Sequence, residues 1–120
     1  MNLDYTLIAL ADPTRRAILQ RLSRGETRVT EIARPFAISL NSVSKHIRIL
    51  ERAGLVRRRR AGREHLLSYN AAPVDAAATW IDTQRTLWAA RLQALDDMLQ
   101  TEDAARSSLT TPAKRRRKAR

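Results

Sequence analysis

Few residues in this chain can do covalent chemistry. There are 2 histidines, His46 and His65, no cysteine and only 3 glycines, so no nucleophile–base pair and no glycine-rich phosphate loop can be assembled, which argues against an enzyme. The missing thiol also removes a disulfide framework, redox work at sulfur and a cysteine-rich zinc site. What the sequence has instead is positive charge. Its 23 Lys plus Arg outnumber 12 Asp plus Glu and leave a net charge of +11 on 120 residues, which calls for a polyanion such as nucleic acid or an acidic membrane surface. Two groups of residues could use that charge. One is a polar series of Asn41, Ser42, Ser44, Lys45 and Arg48; the other is the run Arg57-Arg58-Arg59-Arg60 followed by Arg63.

The charge is uneven along the chain: residues 13–63 carry +11, residues 64–100 carry −3 and residues 101–120 carry +5. The cationic surface is thus one internal segment plus a tail. A membrane-lying helix would set its bases opposite a bulky apolar face, which this segment lacks. The chain starts without a basic leader, and no stretch approaches the roughly 20 apolar residues that span a bilayer. The expected setting is therefore cytoplasmic, at the nucleoid when bound to DNA, with no membrane partner.

The elements that must position these residues follow from caps and periodicity. Hydrophobic residues make up 43% of the chain and aromatics only 4%, so aliphatic packing between helices must build the core. Asp12 caps a helix opened by Pro13, with Ile18, Leu19 and Leu22 turned inward until Gly25. Thr30 is expected to cap a short second helix carrying Ile32, Ala33 and Phe36, discouraged from continuing by Pro35. Ser39 caps a third, in which Leu40, Val43, Ile47 and Leu50 follow the spacing of one buried stripe and Gly54 ends the run. Leu55 to Arg60 and Glu64 to Tyr69, around Ala61-Gly62-Arg63, read as a basic β-hairpin. From Pro73, the residues Val74, Ala77, Ile81, Trp88, Leu92, Leu95 and Leu99 share a helical stripe reaching to about Gln100, roughly 40 Å at 1.5 Å per residue. The expected organisation is one domain over 1–100 and a disordered basic tail over 101–120. The fold class is mainly α with a small β-hairpin: a helix-turn-helix with a wing and a long C-terminal helix.

With the stripe of the third helix committed to the core, Asn41, Ser42, Ser44, Lys45 and Arg48 face outward, on a cylinder that fits the major groove of double-stranded DNA. Ser39 reads as a cap and also as a phosphate ligand. His46 lies between the stripe and the open face, so it serves either the fold or a phosphate. Arginines of a strand alternate sides, which favours Arg60 and Arg63 near the turn as DNA contacts and leaves Arg57 and Arg58 to pair with acids or solvent. Trp80 and Trp88 serve either the core or a partner helix.

The stretches ALADPTRRAILQRL, SLNSVSKHIRILERAGLVRRRRAGREH and WIDTQRTLWAARLQAL together resemble the ArsR-type winged helix-turn-helix transcriptional repressors, in the metal-independent branch whose last helix carries paired tryptophans. The resemblance covers roughly residues 5 to 99. It implies a homodimer on an inverted-repeat operator, with Asn41, Ser42, Ser44, Lys45 and His46 toward DNA. It also implies that the first and last helices build the dimer, which designates Leu3, Tyr5, Leu7, Trp80, Ile81, Trp88, Leu92, Leu95 and Leu99. The family's metal-sensing members carry a cysteine cluster that would fall at Val29 to Ala33, and ligands on the last helix; here the first is Val-Thr-Glu-Ile-Ala and residues 73–100 hold no His. No metal and no cofactor is therefore expected. Two other readings stay open on the charge: an architectural protein that coats nucleic acid without choosing sequence, and a winged helix used as a protein-interaction module.

Overall fold

The computed structural model describes residues 2–110. Its elements are α1 (Leu3–Leu10), α2 (Pro13–Leu22), β1 (Thr27–Arg28), α3 (Val29–Ala33), α4 (Leu40–Arg52), β2 (Val56–Ala61), β3 (Glu64–Tyr69) and α5 (Ala72–Thr110). They divide into two compact units, residues 1–80 and residues 81 onward, with α5 contributing to both.

The first unit is a helix-turn-helix with a three-stranded antiparallel wing. Three caps fix its helices. Asn2 Oδ1 accepts from the Tyr5 amide at 3.2 Å, Asp12 Oδ2 from the Arg15 amide at 3.0 Å, and Ser39 Oγ from the Ser42 amide at 3.1 Å. α4 stops where Gly54 adopts a φ of +76°. There the Gly54 amide donates to Glu51 O and the Leu55 amide to Leu50 O, satisfying two terminal carbonyls in the arrangement that favours glycine. The chain thus turns directly from α4 into β2. Asn70 then ties the far end of the hairpin back to this corner, its side chain donating to Gly54 O and its amide to Leu55 O, both at 2.8 Å.

The core is aliphatic. Ile18, Ile32, Val43, Ile47, Leu50, Leu55 and Leu67 are fully or almost fully buried, so α2, α3, α4 and the sheet converge on one cluster. At about 25 cal/mol per Å² of apolar surface, burying one such side chain stabilises by roughly 1.5–3 kcal/mol before the entropic cost of ordering it.

Three expectations are corrected. The wing has a third strand, β1, pairing Thr27 with Leu67 and Arg28 with Leu66; two residues are too few to leave a period. α3 begins at Val29, one residue before Thr30, and has no side-chain cap, because β1 runs straight into it. Leu40 does not complete the buried stripe: it stands 53% exposed, since it is the first residue of α4 and no neighbouring element extends far enough to cover it.

The second unit is helical. α5 was expected to end near Gln100 and instead continues through 101–110. Gln93 donates to Asp97 at 3.0 Å and Gln100 to Asp96 at 3.2 Å, side-chain pairs at the spacing that supports an exposed helix, and the Thr101 hydroxyl donates to the backbone carbonyl of Asp97 at 2.8 Å. Its apolar residues Ile81, Trp88, Leu92, Leu95 and Leu99 are all exposed. The rest of the expected basic tail, residues 111–120, lies outside the described residues.

The Arg15 amide hydrogen bonds the ionised form of Asp12 and, with smaller help from the Arg15 guanidinium charge, holds its carboxyl below the usual 3.8 against some desolvation. A carboxylate favoured in the folded state adds stability above its ordinary pKa and loses it as pH falls through the lowered one. Asp12→Ala is therefore expected to cost about 1 kcal/mol in urea unfolding at neutral pH, the gap to the unsubstituted protein closing once the pH drops below about 3.8. A gap unchanged by acid would assign the loss to something other than the charged cap.

Candidate nucleic-acid interface

The outward side of α4 is what its buried stripe leaves over. Asn41, Lys45 and Arg48 are exposed, while Ser42, Ser44 and His46 are half-buried. Lys45 and Arg48 make no hydrogen bond or ion pair within the described residues, so both cations point into solvent unengaged. Ser39 and Ser42 are engaged by each other: besides the cap, the Ser39 hydroxyl donates to Ser42 Oγ at 3.1 Å. The amides of the first turn lie at the positive end of the α4 dipole, which suits an anion.

His46 is held by the fold. Its Nδ1 lies 3.2 Å from the Arg15 guanidinium, which can only donate, and 3.8 Å from Asp12 Oδ2. The same guanidinium donates to Ala9 O at 2.8 Å and to Ile8 O at 2.9 Å. One arginine thus joins the end of α1 to the middle of α4. Of the two readings of His46, this geometry supports the structural one.

The wing arginines do not act alike. The register of β2 on β3 pairs Arg58 with Leu67 and Arg60 with His65, on the same side as buried Val56, and puts Arg57 and Arg59 on the other side. Arg58 donates to Glu51 of α4 at 2.8 Å. Arg59 grips Glu26 with two bonds of 2.7 Å, which lower the Glu26 carboxyl and raise the guanidinium. Arg28 pairs with Glu64 at 2.9 Å. Arg60 donates to Gly62 O in the turn at 3.1 Å. Arg57 and Arg63 make no such bond within the described residues. Two acids, Glu51 and Glu26, therefore absorb part of the arginine run, a third, Glu64, holds Arg28, and each fixes the direction of the arginine it binds.

Between α4 and the wing lies a groove of about 280 Å³, lined by Arg28, Val29, Thr30, Leu40, Ser44, Arg58, Arg63, Glu64 and His65. It brings together Ser44 and Arg63, both expected at the interface, with Arg28, Thr30 and Arg58, which were not. Arg28 was not expected there because it lies on β1, an element without a sequence signature, and Thr30 because it was read only as a helix cap. Among the described residues no group of three His, Cys, Asp or Glu is placed to hold a metal ion, and no helix is long and apolar enough to cross a membrane.

A helix with an uncovered polar face, preceded by a short helix and followed by a cationic hairpin, defines a winged helix-turn-helix DNA-binding protein. A helix-turn-helix domain family matches residues 10–59. The transcriptional regulator Rv2034 of Mycobacterium tuberculosis is 38% identical over 99 residues, 82% of this chain and 90% of its own length. The transcriptional repressor SdpR of Bacillus subtilis is 36% identical over 61% of this chain and 81% of its own. Among solved structures, the ArsR family transcriptional regulator RHA00566 superposes with a TM-score of 0.69 at 44% identity, covering 72% of this chain and 94% of that one. An ArsR-like regulator from Rhodococcus sp. RHA1 superposes with a TM-score of 0.73 at 28% identity, covering 80% of this chain and 91% of that one. The chain belongs to the ArsR-type winged helix-turn-helix transcriptional regulators.

The Glu26–Arg59 pair gives a test of how the acids tune this surface. Glu26→Gln releases Arg59, and if that side chain then meets a phosphate, the slope of log K against log salt for DNA binding steepens by about 0.9. Fluorescence anisotropy over a salt series reads this directly. An unchanged slope would show that Arg59 does not reach the duplex.

Proposed function

We propose that this protein is a homodimeric transcriptional repressor that binds an inverted-repeat operator without a metal effector. The observation that carries the reading is the uncovered N-terminal half of α4, with Lys45 and Arg48 unengaged beside a cation-lined groove at the wing. Asn41, Ser44, Lys45 and Arg48 meet base edges and adjacent phosphates. Ser39 and Ser42 present the capped helix end to a phosphate. Arg60 and Arg63, near the turn, follow the neighbouring backbone. His46 supports α4 from behind.

The dimer reading rests on apolar surface that the chain itself leaves open. In the first unit Tyr5, Leu7 and Trp80 are exposed and Leu3 is half-covered; in the second, Ile81, Trp88, Leu92, Leu95 and Leu99 are exposed, Trp88 by 59%. A second copy of the chain covers them. Two recognition helices then enter successive major grooves about 34 Å apart. Independence from metal rests on the absence of cysteine and on the lack of a suitable ligand cluster among the described residues. Such a regulator works in the cytoplasm, at the nucleoid when bound.

Random-oligonucleotide selection with the purified protein is the test, and it returns half-site and spacing together. Operator binding is expected to exceed binding to random DNA by at least about a thousandfold at physiological salt; equal affinities would establish the architectural alternative. Lys45→Ala or Arg48→Ala is expected to weaken operator binding by about 1–3 kcal/mol per base contact with circular dichroism unchanged. Trp88→Ala is expected to shift dimer toward monomer in ultracentrifugation, and an unmoved dimer would remove Trp88 from the interface.

A further inference from the structure

The exposure of Leu40 leaves apolar surface open at the start of α4. A leucine left in water forgoes the stabilisation its burial would bring, and this one occupies the first position of the recognition helix, where side chains come nearest to base edges. Its surroundings are specific. Leu40 and Ser44, one turn apart on α4, form the helix side of the groove whose other walls carry Arg28, Arg58 and Arg63. A small apolar surface beside the unengaged Arg63, with Arg28 held by Glu64 and Arg58 by Glu51, does not suit an apolar peptide, because burying it would leave the Arg63 cation desolvated without a partner. It does suit a duplex: phosphates satisfy the guanidinium groups, and the major groove offers one apolar group of matching size, the C5-methyl of thymine.

We infer that Leu40 is a specificity-determining residue that reads a thymine methyl group in each operator half-site. The inference rests on α4 being the recognition helix and adds a base preference to it. Hydrogen-bonding side chains such as Asn41 cannot supply this discrimination, since thymine and uracil present the same acceptor and differ only by the methyl group. Leu40 therefore selects by shape and burial, while Arg28, Arg58 and Arg63 hold the backbone close enough for that contact.

The test uses the full-length protein and the operator that selection returns. Each thymine of the half-site is replaced in turn by deoxyuridine, which deletes one methyl group and keeps every hydrogen bond. One thymine per half-site is expected to be sensitive, with affinity falling roughly fourfold, the worth of one buried methyl. Leu40→Ala is expected to bind the thymine operator more weakly and to show no further loss with deoxyuridine at that position. Leu40→Met, which keeps an apolar side chain of similar volume, is expected to retain the sensitivity; loss of the effect in this variant as well would overturn the methyl-burial account. Circular dichroism and thermal unfolding check that the variants fold, and because Leu40 is exposed they are expected to match the parent. An operator indifferent to every deoxyuridine, or a Leu40→Ala protein with undiminished sensitivity, would overturn the inference while leaving the repressor reading intact. Failure of selection to return any preferred sequence would overturn both.

Discussion

The structure depends on the burial of a single narrow stripe. Val43, Ile47 and Leu50 are fully buried, and their spacing confines contact with the core to one side of α4. A stripe of this kind fixes rotation as well as position. Turning the helix by one residue, about 100°, would drive charged side chains into the aliphatic cluster and lift apolar ones into water. The orientation of Lys45 and Arg48 is thus set by residues that never approach a ligand. Close packing makes that setting stiff, because interiors at crystal-like density do not accommodate gradual rotation.

The wing is oriented by different physics. A run of four arginines repels itself, and a short hairpin has little apolar surface of its own, so direction must come from partners. Glu51, Glu26 and Glu64 provide it, gripping Arg58, Arg59 and Arg28. Exposed ion pairs of this kind add little stability individually. Their effect here is geometric. Glu51 sits on α4 itself, so its bond to Arg58 registers the wing against the recognition helix, and Asn70 does the same from the far strand through Gly54 and Leu55.

The parts legible in the sequence were those with a local cause. Asp12 before Pro13, Ser39 before the 43–47–50 stripe and Gly54 after it each act within a turn of chain, and each does what its residue type requires. What escaped had a nonlocal cause. Arg59 finds Glu26 across 33 positions, which no spacing rule reaches, and β1 exists because Leu67 and Leu66 offer it an edge. Leu40 shows a subtler limit. Periodicity gives the angle of a side chain about its helix but not whether another element extends far enough along the axis to cover it. The end of α5 was missed for a related reason: residues 101–110 have little to bury, so no buried stripe marks the helix there.

The same reasoning bears on how the apolar surface of α1 relates to the polar surface of α4. α1 is only 8 residues long, too short to persist alone in water, and Tyr5, Leu7 and Ile8 on it are exposed. Its capped start and the buried Thr6 and Ala9 hold one side. Its end is held by Arg15, which takes the carbonyls of Ile8 and Ala9 and the imidazole of His46 with one planar group. Arginine suits this task because its donors diverge at fixed angles; a lysine could not hold three acceptors on two elements in one geometry. The exposed apolar residues of α1 are therefore presented in a set relation to the exposed cations of α4. On the proposed dimer this matters for recognition, since two half-sites are read together only if whatever joins the copies also fixes the separation of their recognition helices.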